Sequence, residues 1–308
     1  MRTYLYCEAG YVVKNNWLPN CWVNVVCPEK SDFDFLLNEL KVPESFLADI
    51  ADTDERPRTE KEGNWLLTIL RIPISSQNGN YPFTTIPIGI ITNDEIIVSI
   101  CYQQTDLIPD FIEHTQRKNI IIRNKLDFIL RIIYSSAFWF LKYLKQINNN
   151  INEAENGMEK SIRNEDLLQL MKLQKTLVYF NTSIRGNEIM IGKLKSIFHD
   201  TNYLDQGLAE DVIIELKQGY NTVNIYSNIL SGTMDTFASI ISNNVNTIMK
   251  RMASLNIILM IPTMIAGLYG MNVNIYVAHL HYAFWLILAI SLGLSSLAFL
   301  VFRKIKWF

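Results

Sequence analysis

Between Asn246 and Gly270 the chain repeats a pattern able to handle an ion without any charged group on it. Asn246, Met249, Met252, Asn256, Met260, Thr263, Gly267 and Gly270 follow at steps of three and four, so on a helix they share one face. The positions between them, among them Leu255, Ile257, Ile258, Leu259, Ile261 and Ile265, are branched aliphatics. An amide within such a segment is costly to present to lipid, so Asn256 has to face protein or water. Two readings fit this face. Small and polar residues can glue helices together. Alternatively, copies of the helix surround a water-filled path, with Met249 and Met252 as apolar constrictions that gate by dewetting. The stripe has no ionisable side chain, which excludes a proton relay along it.

The element that must carry this stripe is a membrane helix. Residues 252–302 contain no Asp, Glu, Lys or Arg. They divide into apolar segments at 252–270 and 283–302, each close to the roughly 20 residues that span a bilayer as a helix. Lys250 and Arg251 precede the first, and Arg303, Lys304 and Lys306 follow the second. The connecting residues 271–282 have no Lys or Arg, so both termini are expected inside and this loop outside. The first segment ends in Tyr269-Gly270-Met271-Asn272, where an ordinary reading is a capping glycine and a turn asparagine. Upstream, helical spacing runs from about residue 205 to Gly270 with no proline before Pro262. Such a helix is on the order of 100 Å long and needs partners to be stable.

The remainder of the 308 residues suits a soluble domain. A net charge of −2 leaves no basic footprint for nucleic acid. The opening residues show no signal-peptide pattern, so the N-terminus is expected in the cytoplasm. Cys7, Cys21, Cys27 and Cys101 form no CxxC pair and read as reduced, mostly buried thiols rather than a zinc site or disulfide framework. Strands are predicted at 22–28, 65–74, 84–92 and 95–102, with Asn93-Asp94 as a hairpin turn. One helix is expected at 30–41. A second begins at Pro43 and breaks at Pro57. Beyond Pro109 the pattern is helical, with a bend at the asparagine-rich 148–157 and a break near Gly186. No GxxxxGK[ST] loop is present, and no nucleophile–base pair suggests an enzyme.

The ending "YGMN" on the first of two C-terminal membrane segments, with the tail "RKIKWF", resembles the CorA family of magnesium channels. The stretch "NTIMKRMASLNIILMIPTMIAGLYGMN" is similar to that family's pore helix, and "LADIADTDERPRTE" to its N-terminal signature. The resemblance implies an α+β protein: a cytoplasmic αβα domain, a long stalk helix, and two C-terminal transmembrane helices in a funnel-shaped homopentamer. The expected parts are the αβα domain with helical extension (1–198), stalk (199–251), pore helix (252–270), outer loop (271–282), second membrane helix (283–302) and basic tail (303–308). The location implied is the cytoplasmic (inner) membrane, the partners being further copies of the chain, the lipid bilayer and divalent cations. No nucleic acid and no organic cofactor are expected.

The function implied is Mg²⁺ influx, with Co²⁺ and Ni²⁺ as further ions. Gly270, Met271 and Asn272 would form the outer mouth, and Asn246 through Gly267 of the stripe would line the pore. Mg²⁺ dehydrates reluctantly, so the Asn272 amide oxygen and Gly270 carbonyl suit a site that accepts hydrogen bonds from its water shell. The resemblance also implies cytoplasmic Mg²⁺ as a regulatory ligand at Asp49 and Asp211, with Asp52, Asp54 and Glu210 as nearby substitutes. Pro262 lies one residue later than in many members, and the outer loop lacks acidic residues. That loop holds His279 and His281 instead, which can coordinate Zn²⁺, Co²⁺ or Ni²⁺ or serve as plain interface residues. The alternatives are a Zn²⁺ transporter of the same superfamily and a membrane-anchored sensor or scaffold.

Overall fold

A computed structural model describes residues 1–76, 81–160, 164–198, 204–271, 281–305 and 307. Two compact units make up the chain, Met1–Thr233 and Met234–Phe308. In the first, seven strands form one sheet: β1 (Arg2–Cys7), β2 (Tyr11–Lys14), β3 (Trp22–Val26), β4 (Arg58–Glu62), β5 (Trp65–Ser75), β6 (Phe83–Thr92) and β7 (Ile97–Cys101). Their order is β2-β1-β3-β7-β6-β5-β4, and only the β3–β7 pair is parallel. The expected strands at β3, β5, β6 and β7 are all present. Asn93 makes the predicted hairpin turn, its Oδ1 accepting from the N–H groups of Glu95 and Ile96 at 2.9 Å each.

Three strands escape the sequence reading. β1, β2 and β4 lie on the flanks of the sheet, and β4 (RTEKE) is charged along its length, as suits an exposed edge. The expected helix reaching Pro57 in fact stops at Ala51: α2 spans Glu44–Ala51, and the Asp52 Oδ1 accepts from Asp54 N–H at 2.9 Å to start a turn. The expected helix at 30–41 is α1 (Lys30–Asp34) continued by a π-helical turn (Phe35–Glu39). These helices cover one sheet face, where Val23, Val25, Leu67, Ile69, Val98 and Ile100 meet Phe35, Leu36, Phe46 and Ile50. Alternation along each strand sends the other residues to the opposite face. There Trp22 packs its ring 4.9 Å from those of Tyr11 and Phe128.

That second face is covered by α3 (Leu107–Arg117), α4 (Lys125–Lys160) and α5 (Asn164–Ile197), completing an αβα arrangement. The predicted bend at 148–157 is absent. Ile147, Ile151 and Ala154 are buried at steps of four and three, so the core-facing row runs through the asparagines and holds the helix together. Nor does α5 break at Gly186. A Cβ there would lie 2.8 Å from Pro57 Cγ, so this glycine marks a close approach of the helix to the loop after α2. Helix α6 (Gln206–Tyr269) is one 64-residue element, as its spacing predicts. In the first unit it buries Ala209, Val212, Leu216, Val223 and Leu230, and its Asn224 Oδ1 accepts from Asn181 Nδ2 of α5 at 2.7 Å.

Candidate functional site

The second unit is built from the end of α6 and from α7 (Ala283–Lys304), both long and apolar enough to cross a membrane. Where α7 packs is legible from what it covers. Ser254 of α6 is fully buried, Ile258, Ile261 and Ile265 are half-buried, and Ser291 of α7 is 7% exposed. At about 100° per residue, Ser254, Ile258, Ile261 and Ile265 lie on the side of α6 opposite Asn256. The predicted stripe is therefore the face turned away from α7. Asn246, Met249, Met252, Asn256, Met260, Thr263, Gly267, Gly270 and Met271 are all exposed. So are Leu255, Ile257, Leu259 and Leu268 on its flanks. Residue type, not exposure, distinguishes the stripe from its aliphatic borders.

Two local features of this unit bear on an ion path. Pro262 sits inside α6 and has no N–H to offer the carbonyl of Ile258, one turn back. Ser295 of α7 supplies that missing donor, its Oγ lying 3.4 Å from the Ile258 oxygen. The second feature is Gly270. Its N–H still donates to Ala266 O at 2.9 Å, its φ is not in the left-handed region, and the nearest atom to an added Cβ is 3.4 Å away. Gly270 thus directly follows the end of α6 without the left-handed conformation of a capping glycine, and among the described residues nothing there requires a glycine. Asn272 and His279 lie outside the described residues; His281 is exposed.

The acidic positions lie in the first unit. Asp49 is in the last turn of α2, whose Ile50 presses against β6 so closely that Gly89 has no room for a Cβ. The Asp49 carboxylate is one-third exposed and paired: Arg58 Nη2 donates to its Oδ2 at 2.7 Å. Arg58 opens β4, and the same guanidinium also meets Glu55 through Nη1 and Glu60 through Nε at 3.3 Å. Burial alone would lower the Arg58 pKa, but the carboxylates of Glu55, Asp49 and Glu60 outweigh it and raise the pKa. The intervening turn is held by Arg71 of β5, whose Nη1 donates to the carbonyls of Thr53 (2.9 Å) and Glu55 (3.0 Å). Asn187 of α5 then pairs with the Arg71 backbone through both of its amide atoms, at 3.0 and 2.8 Å. It does so beyond the end of β4, which pairs with β5 only from Trp65 to Ile69.

Asp211 is exposed on α6. Among the described residues no group of three His, Cys, Asp or Glu side chains can hold a metal within one chain. Sequence reasoning selected Asp49 but missed Arg58, Glu55 and Glu60, because it read Glu55 as part of a helix and expected no strand after the break at Pro57. The available signal was the alternation of charge in "RPRTEKE" ahead of the strongly apolar β5.

Comparisons with known proteins bear on all these elements. A curated "Cobalt/magnesium transport protein CorA" of Methanocaldococcus jannaschii is 24% identical over 291 residues, covering 93% of this chain and 90% of the relative. One of the same description from Thermotoga maritima is 23% identical, covering 93% and 83%. The complete structure of the CorA magnesium transporter from M. jannaschii superposes with a TM-score of 0.84 at 21% identity, covering 100% of this chain and 99% of that one. The fold is therefore shared from the sheet to the last helix. The family model described as "CorA-like Mg2+ transporter protein" matches residues 19–304, and on that match the chain belongs to the CorA-like Mg²⁺ transporter family.

Proposed function

We propose that this chain is the subunit of a divalent-cation channel in the cytoplasmic membrane, a homopentamer that admits Mg²⁺, and also Co²⁺, down its electrochemical gradient. The observation that carries the reading is the stripe on α6. Its amides, hydroxyl, thioethers and glycines lie opposite the α7 contact and, among the described residues, are exposed. A face of that composition is stable in a membrane when copies of it surround water. Family membership and the named activity of the M. jannaschii and T. maritima relatives point to Mg²⁺ and Co²⁺ as the ions.

In this reading Gly270, Met271 and Asn272 form the outer mouth. Carbonyl and amide oxygens there accept hydrogen bonds from the water shell, which costs less than stripping a strongly hydrated ion. Asn246, Asn256 and Thr263 then offer polar contacts along the path, and Met249, Met252 and Met260 narrow it with apolar surface. Lys250, Arg251, Arg303 and Lys304 flank the spans and favour both termini inside. Asp49 and Asp211 supply oxygen donors for intracellular Mg²⁺ between neighbouring subunits. Because Mg²⁺ keeps several waters, one or two carboxylates suffice. The test is flux into vesicles reconstituted with the full chain, comparing wild type with Asn272→Ala. The variant should assemble yet lose Mg²⁺ entry, and wild-type flux in it would remove Asn272 from the mouth.

A further inference from the structure

We propose that Arg58 is a resident competitor of Mg²⁺ at Asp49, so that exchange of its guanidinium for the ion sets the Mg²⁺ concentration at which the subunits lock. The inference rests on the reading of Asp49 as a regulatory ligand. Its starting point is that one of the two Asp49 oxygens, Oδ2, is already taken, at 2.7 Å, by Nη2 of Arg58. The guanidinium is engaged on all three of its nitrogens, by Asp49, Glu55 and Glu60. One fixed fork thus spreads a single positive charge over three carboxylates. Arg71, holding the carbonyls of Thr53 and Glu55, and Gly186, seated under Pro57, keep this turn in place. The cluster is a built feature of the loop.

A Mg²⁺ on either oxygen of that carboxylate would lie beside the guanidinium, and their like charges repel. Carboxylates are the hard donors Mg²⁺ prefers. Among the described residues no group of three acidic side chains can hold a metal within one chain, and in the reading proposed above the second carboxylate comes from a neighbouring copy. Binding is then competitive: Mg²⁺ bridges the subunits more readily where Arg58 has left Asp49. The apparent affinity falls by the fraction of Asp49 that is free. The pair is about one-third exposed on each side, 31% for Arg58 and 33% for Asp49, so the penalty is modest and sensitive to salt.

The experiment is protease protection of the full-length protein in detergent across a Mg²⁺ titration, with thermal unfolding in the absence of Mg²⁺ as the check on folding. Arg58→Gln should move the protection midpoint to lower Mg²⁺ by about threefold to fivefold. Arg58→Lys, which keeps the charge but not the fork, should fall between that variant and wild type. A merely structural role for Arg58 makes the opposite prediction, since a loosened α2–β4 turn weakens protection and raises the midpoint. An unchanged or raised midpoint in Arg58→Gln overturns the proposal. If that variant does not assemble, Arg58→Lys decides, and a midpoint at or above wild type overturns it. Asp49→Asn separates the two layers of argument: if it leaves the midpoint unmoved, the regulatory reading of Asp49 itself is wrong. If it raises the midpoint while Arg58→Gln changes nothing, only the competitor role is lost.

Discussion

At the scale of single residues, Asn256 distinguishes the two readings of the stripe. Replacing it with leucine removes the amide while keeping the volume and the apolar surroundings. If Asn256 lines water, Asn256→Leu should assemble normally and pass Mg²⁺ at least about tenfold more slowly, because a dry constriction replaces a polar one. If Asn256 instead glues helices, the oligomer should weaken in detergent, which size-exclusion chromatography reads directly. Gly270 can be treated the same way. Among the described residues there is room for a Cβ, so Gly270→Ala should fold as wild type, and a loss of flux in it would place Gly270 at the mouth. A third contrast concerns the thiols. Burial pushes the Cys101 thiol up to about 11, whereas Cys27 is exposed. Iodoacetamide at mildly alkaline pH should label Cys27 and spare Cys101. Because the Cys101 value lies above that of a free thiol, its contribution to stability is intact below the ordinary thiol range. It disappears as pH rises through about 11.

At the scale of elements, the contacts that bring Asp49 and Arg58 together depend on a few close approaches. Gly186→Val should force Pro57 away from α5 and cost about 1–3 kcal/mol, seen as a lower midpoint in thermal unfolding. The Pro262–Ser295 pairing makes a sharper prediction. Ser295→Ala leaves the Ile258 carbonyl without its donor and should destabilise the helix pair by about 0.6 kcal/mol, the usual size of such a bond in a membrane. In a Pro262→Ala background a backbone N–H returns to that carbonyl, so the Ser295 substitution should then cost nothing. The double-mutant cycle checks this, and additive losses would disprove the pairing. Which elements were legible in the sequence follows from where their information lies. β5, β6 and β7 are β-branched runs between turn residues and announce themselves. β4 is an edge strand of alternating charge, and its partner β5 supplies the apolar half of the signal. The asparagine run in α4 looks like a turn until Ile147, Ile151 and Ala154 are seen to continue one buried row.

At the scale of the whole molecule, the two helices long and apolar enough to cross a membrane and the 64-residue length of α6 are the most legible features, because length and absence of charge need no tertiary context. The acidic cluster is the least legible, since Asp49 and Arg58 meet only through a loop whose shape is set by Arg71 and Asn187 from β5 and α5. The assembled channel should appear by native mass spectrometry as five copies, and a dimeric or monomeric membrane form would contradict the proposed path. A cysteine introduced into the outer loop should react with an impermeant maleimide from outside the cell, while one after Lys304 should not. The reverse pattern would invert the orientation.

The Ile258 carbonyl also carries a consequence for how the protein is made. During synthesis the apolar end of α6 leaves the ribosome before α7 exists, and at that stage the oxygen freed by Pro262 lacks the Ser295 donor. Entering hydrocarbon with a bare carbonyl is unfavourable, so entry should be easier once Ser295, 37 residues later, can donate to it. The expected outcome is that the two helices enter the bilayer as a hairpin. A nascent chain stopped ahead of α7 should remain extractable by alkali, whereas the same chain with Pro262→Ala should partition into the bilayer on its own.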